Sequence, residues 1–110
     1  MAEFPGWTEQ YVGTPYHEAD CWSLARRVLA EQYAVHIPAD IHEAMEYGRH
    51  RFKKVSDPQA GDIVMLRVEG RPHIGVMVSS EAMLHTGQGK NAVVERISAA
   101  WHKVTGYYRV

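Results

Sequence analysis

His73-Ile74-Gly75-Val76-Met77-Val78-Ser79-Ser80-Glu81-Ala82-Met83-Leu84-His85 sets the architecture of this chain. Its β-branched and large apolar residues favour extended backbone. Ser79-Ser80-Glu81 interrupts them with turn chemistry. The segment therefore predicts two strands, 73–78 and 83–85, folded as a hairpin. Period two puts His73, Gly75 and Met77 on one face of the first strand, and Met83 and His85 on one face of the second. With an even register sum the two imidazoles face the same way, opposite or diagonal, with Cβ atoms roughly 5–8 Å apart. An odd register would turn them to opposite faces. Gly75 between them leaves room for another chain or a ligand.

Working outward from the hairpin, Ile63 to Val68 is β-rich and follows a loop at 57–62, with Glu69-Gly70-Arg71-Pro72 as the turn between. On the other side, Thr86-Gly87-Gln88-Gly89-Lys90-Asn91 is a flexible connection to a strand at 92–97, and 105–110 closes the sheet. Upstream the character is helical. Cys21, Leu24, Ala25, Val28 and Leu29 fall on one stripe, with Asp20 as N-cap, which predicts a helix over 21–33. A second helix is expected over 39–49, ended by Gly48. Residues 1–19 form a lead-in with turns at Pro5-Gly6 and Gly13-Thr14-Pro15, pinned by Trp7, Tyr11 and Tyr16. Helices first and strands afterwards indicate an α+β fold with an antiparallel meander, in one domain over 1–110.

Composition narrows the function classes. The chain has 110 residues, is 45% hydrophobic, and carries 12 basic against 13 acidic side chains, a net charge of -1. No basic excess points to nucleic acid, and no cationic face to a membrane surface. Arg49, Arg51, Lys53 and Lys54 make a short basic stretch, read as a solvated face. One cysteine excludes an intrachain disulfide. The first residues show neither a charged n-region nor an apolar h-region, so no signal peptide is expected. No apolar run approaches the ~20 residues that span a bilayer. A role outside the producing cell would need another route of delivery.

Cys21 is placed in the first turn of its helix, where unpaired N–H groups and the helix dipole favour an anion. Such a position is expected to lower a thiol pKa and to hold a developing oxyanion. The competing reading is a small buried core residue. Two histidines on one sheet face opposite that helix tip change the balance. One imidazole can take the thiol proton while a second polar group fixes its tautomer. Cys21, His73 and His85 are also competent zinc ligands, so a zinc site is an alternative. No HExxH or CxxC accompanies them, and Gly87-Gln88-Gly89-Lys90 lacks the spacing of a phosphate-binding loop.

Four pieces together resemble the NlpC/P60 family of cysteine peptidases. Gly13-Thr14-Pro15-Tyr16 is similar to the segment upstream of the family's nucleophile. Asp20-Cys21-Trp22-Ser23-Leu24 resembles its Asp-Cys-x-Gly-Leu motif, in the Cys-Trp form common in phage tail versions. Ala60-Gly61-Asp62-Ile63-Val64 resembles its Pro-Gly-Asp strand start, and His73-Ile74-Gly75-Val76-Met77 with Met83-Leu84-His85 its histidine strands. The likeness covers about residues 11–98. It implies a minimal papain-like α+β domain, with the nucleophile helix packed on an antiparallel sheet. It implies Cys21 as nucleophile, His73 as base, His85 as the group orienting His73, and Tyr16 near the oxyanion or substrate. It implies hydrolysis of peptidoglycan stem peptides near a γ-D-glutamyl–diaminopimelate bond, with no metal or organic cofactor. The expected lack of a signal peptide fits delivery in a phage tail beside other tail proteins, a toxin carried by a secretion machine, or a cytoplasmic enzyme recycling wall peptides, and the Cys-Trp pair favours the first. Ser23 stands where the family has glycine, the segment between Tyr16 and Cys21 is short, and residue 72 is proline where serine is common. A non-catalytic tail or binding module of the same fold is the alternative.

Overall fold

A computed structural model describes residues 4–86, 91–99 and 103–109. The elements are α1 (Cys21–Tyr33), α2 (Ile41–Arg51), β1 (Lys53–Val55), β2 (Ile63–Val68), β3 (Arg71–Met77), β4 (Ala82–Thr86), β5 (Ala92–Arg96) and β6 (Lys103–Arg109). Short 3-10 turns occupy Gly6–Gln10 and Ile97–Ala99. The six strands form one antiparallel sheet in the order β1-β6-β2-β3-β4-β5. The fold is the expected α+β class, and β2 to β5 are the expected meander. β6 differs from the expectation. It does not close the sheet at an edge but lies between β1 and β2. β1 was not foreseen, because Lys53-Lys54-Val55 is short and charged. No helix among the described residues is long and apolar enough to cross a membrane.

Local chemistry explains the helix ends. Asp20 caps α1 by accepting the Ser23 N–H at 2.8 Å. At the other end Ala34 takes the left-handed conformation, φ 55°, and the Val35 N–H returns to the Leu29 carbonyl at 3.0 Å. Asp40 caps α2 by accepting the His42 and Glu43 N–H groups. α2 then runs through Gly48, which sequence reading made its end, as far as Arg51. A Cβ at Gly48 would stand 3.2 Å from the Phe52 ring, so the glycine lets that ring close over the last turn.

Leu24, Ala25, Val28 and Leu29 of α1 bury into one core with Ile63, Ile74, Val76 and Leu84 of the sheet. Val64, Leu66, Met77 and Met83 form a second, smaller core on the opposite face. The lead-in packs where expected at two of its three aromatics. Trp7 meets Tyr11 and Tyr33 edge-on, and the buried Tyr11 hydroxyl donates to Glu31 at 2.7 Å. Tyr16 does not join them and is 38% exposed. The lead-in also pairs with the start of β5, Gly13 N–H to the Ala92 carbonyl and Ala92 N–H to that of Thr14.

The 57–62 loop is clamped by Asp62. Its carboxylate accepts the Gln59 N–H at 2.7 Å and both Nε (2.9 Å) and Nη2 (2.8 Å) of Arg109. Arg109 Nη2 also donates to the Asp57 carbonyl at 3.1 Å. This fixes the entry of β2 against the end of β6.

Candidate active site

The site gathers where β3 leaves β4. Among the described residues, the register pairs joining these strands are Val76↔Leu84 and Met77↔Met83. Continued toward the start of β3, that register sets Gly75 opposite His85 and His73 diagonal to it, on one face. The structure therefore has the even register that lets the imidazoles meet. His73 Nε2 lies 2.9 Å from His85 Nδ1, with ring planes at 79° and centroids 5.1 Å apart. Gly75 makes this close approach possible, since a Cβ there would meet Val64 Cγ1 at 3.2 Å and His85 Cβ at 3.3 Å. Both imidazoles are buried, at 8% and 4% exposure.

A further residue extends the row, and sequence reading missed it. Glu95 Oε1 lies 2.9 Å from His85 Nε2. β5 pairs Val93 with His85, so Glu95, two residues on, shares their face and reaches the ring diagonally. The signal in the sequence was an acidic residue at an alternate position of a strand. It carried no weight because the pairing of β4 with β5 depends on a connection of unknown path.

Cys21 opens the first turn of α1 and is half-buried. The backbone N–H groups of Ile74, of Trp22 and of Cys21 itself lie near the sulfur and favour its anion. Ile74 of β3 follows His73 directly, and both line one groove with Cys21. The expectation of a lowered thiol pKa is reversed here. Burial pushes the Cys21 thiol up, and the neighbouring Asp20 carboxylate adds to the rise, while the three N–H groups oppose it.

Cys21, Trp22, His73 and Ile74 share a groove of about 730 Å³. Ala44, Gly48 and Arg49 of α2 form one wall, with Phe52 beside them. Ile63, Met65 and Tyr108 of the sheet supply an apolar floor. The groove depends on where α2 sits. Arg26 Nε donates to the Ile37 carbonyl at 3.0 Å, and Trp22 Nε1 to that of Ala39 at 3.4 Å, tying the connection between the helices to α1. Arg49 and Lys54 are exposed, as expected of a solvated face, and stand at the rim of this groove. Tyr16 is not among its lining residues. The Pro15 carbonyl accepts the N–H groups of Glu18 and Ala19, and that tight turn leaves Tyr16 exposed. Among the described residues, no three His, Cys, Asp or Glu side chains gather into a group able to hold a metal ion. The zinc alternative therefore has no ligand set there. The Gly87-Gln88-Gly89-Lys90 segment lies outside the described residues.

The fold that presents Cys21 and the histidine pair has known relatives. The sequence profile of the NlpC/P60 family matches residues 6–109. The chain belongs to the NlpC/P60 family. The match is wider than the motifs alone suggested, because it takes in the lead-in and β6. This NlpC/P60 chain is similar to murein DD-endopeptidase MepS/murein LD-carboxypeptidase of Escherichia coli, 22% identical over 104 residues. The alignment covers 93% of this chain and 54% of the relative, and the protein from two further strains matches equally. The chain thus spans about half the length of the curated relatives it matches. Among solved structures, the NlpC/p60 domain of peptidoglycan hydrolase SagA shares the fold with a TM-score of 0.69 at 20% identity, over 94% of this chain and 92% of that one.

Proposed function

We propose that this NlpC/P60 chain is a peptidoglycan hydrolase, acting as a cysteine peptidase on stem peptides near the γ-D-glutamyl–diaminopimelate bond. The observation that carries the reading is the His73–His85 contact at 2.9 Å, with His73 on the wall of the groove that holds Cys21. Family membership supports it, as do relatives named for murein and peptidoglycan hydrolysis.

The chemistry follows from the site. His73 takes the Cys21 proton as the sulfur attacks the peptide carbonyl. The raised thiol makes this transfer part of the attack rather than a step completed at rest. Backbone N–H groups of the first turn of α1 face the developing oxyanion. His73 then gives its proton to the leaving amine, and water hydrolyses the thioester. His85 holds the His73 ring throughout. The apolar floor suits the aliphatic parts of a stem peptide, and Arg49 and Lys54 suit its carboxylates. The Cys21-Trp22 pair, as in phage tail members of the family, is the support for placing the protein in a phage tail beside other tail proteins.

Purified muropeptides incubated with the protein and separated by mass are expected to show cleaved stem peptides. Cys21→Ala should abolish the products while the circular dichroism spectrum stays unchanged. Intact muropeptides with the unmodified protein, at any pH where it remains folded, would overturn the reading.

A further inference from the structure

We infer that Glu95 is a positioning residue that keeps the His85 proton on Nε2 and so leaves the basic lone pair of His73 on Nδ1, where the thiol proton must go. The inference rests on the hydrolase reading for its consequence but not for its geometry. The row runs Glu95 Oε1, His85 Nε2, His85 Nδ1, His73 Nε2, with both contacts at 2.9 Å.

A neutral imidazole has one N–H and one lone pair. Two rings joined by one hydrogen bond can therefore share it in two ways. In the first, both rings carry hydrogen on Nε2, and His73 donates to His85. In the second, both carry it on Nδ1, and His85 donates to His73. The inter-ring contact alone does not choose. The second arrangement is useless for catalysis, because His73 Nδ1 is already protonated.

A carboxylate only accepts. In the second arrangement the His85 Nε2 lone pair would face the Glu95 oxygen lone pairs at 2.9 Å, a repulsive contact inside a largely buried row. In the first, Nε2–H donates to the carboxylate. Glu95 thus breaks the tie in favour of the productive pair. Its second effect comes during attack. The S–H bond breaks and an N–H bond forms at His73 Nδ1, so His73 becomes an imidazolium. Its Nε2–H then donates to a His85 whose far side already leans on an anion, and the new charge is stabilised through the row. No proton has to leave Glu95 or reach it.

The test reads tautomers directly. Long-range ¹H–¹⁵N correlation of the histidine rings in the Cys21→Ala protein, at neutral pH, should show both His73 and His85 protonated on Nε2, with His73→Gln and His85→Gln supplying the assignments. In the Cys21→Ala/Glu95→Gln protein the amide can donate to His85 Nε2, and both rings should shift toward Nδ1 protonation. In the active protein Glu95→Gln should lower kcat by about 10- to 100-fold, below the ~10⁴ that follows when the group directly on a base sets the wrong tautomer. KM should stay within about twofold, and Glu95→Asp should restore part of kcat. His73 protonated on Nδ1 in the parent, or ring signals unchanged by Glu95→Gln, would overturn the inference. The ring signals need no turnover. A chain that cuts no muropeptide while showing the expected tautomers would therefore sink the hydrolase reading and leave the role of Glu95 standing.

Discussion

The Asp62–Arg109 pair and the Glu95–His85–His73 row both tie neighbouring parts of one sheet by joining buried polar groups to partly exposed ones, yet they are built for different ends. Both Asp62 oxygens take donors, and Arg109 passes on to the Asp57 carbonyl, so the cluster closes on backbone at the rim of the sheet. Every member has a fixed role as donor or acceptor. The histidine row ends on the wall of the groove that holds Cys21. Its two imidazoles can exchange donor and acceptor roles by relocating ring protons, with no heavy atom moved. The first arrangement holds a loop in place. The second can pass the effect of a proton along its length.

The widest separation between the two should come from removing His73. His73→Ala is expected to lower muropeptide cleavage about 10³-fold or more, with little change in thermal midpoint. A loss under tenfold would put His73 on the same structural footing as Asp62. Asp62→Ala should do the reverse. It strips the acceptor from Gln59 and the partner from Arg109, and a fall in Tm of roughly 5–10 °C is expected for a domain of this size. Cleavage per folded molecule, measured well below that Tm, should stay within about threefold. If the rate falls together with stability, the two regions are coupled and the contrast fails.

Gly75→Ala probes the row without touching its members. The new Cβ would press Val64, His85 and the Leu84 carbonyl at 3.2–3.3 Å. Overpacking of this kind costs about 1–3 kcal/mol, and calorimetry checks it. Displacement of His85 should also cut kcat by about tenfold, since an error near 1 Å in the positioning of a catalytic group is worth up to ~10²-fold. Unchanged kcat would mean that the row tolerates loose geometry.

The smallest effect concerns the thiol. Burial and Asp20 raise the Cys21 pKa, so its thiolate fraction at neutral pH is smaller than that of an exposed cysteine. Alkylation by iodoacetamide should be slower at pH 7 than for a cysteine peptide, and its rate should rise through and beyond the ordinary thiol range. Asp20→Asn keeps an N-cap oxygen but removes the charge, and the curve should move to lower pH. Fast alkylation at neutral pH would show a thiolate formed in advance, and the transfer to His73 would then precede attack.

Much of this was legible beforehand because it is local. α1 has the predicted bounds, since a capping aspartate and a five-residue apolar stripe lie within thirteen consecutive residues. The hairpin brought His73 and His85 together because side-chain direction alternates strictly along a strand, so an even register was enough. The errors arose where a distant element intervened. Gly48 did not stop α2, because the Phe52 ring packs over it. Tyr16 turned outward, because the short link to Cys21 coils on the Pro15 carbonyl. The thiol shift was misjudged because a helix tip taken alone says nothing of how deeply another element buries it.

By itself the sequence determined the fold class, the helix that Cys21 opens and the common face of the two histidines, all of which follow from caps and periodicity over a few residues. Only the tertiary structure decided that Glu95 joins the row, that Cys21 and His73 share one groove, and that β6 enters between β1 and β2. Those outcomes depend on which strands become neighbours and where they part. Pairing between segments far apart in the chain is settled by burial of the whole core, not by any short stretch of it.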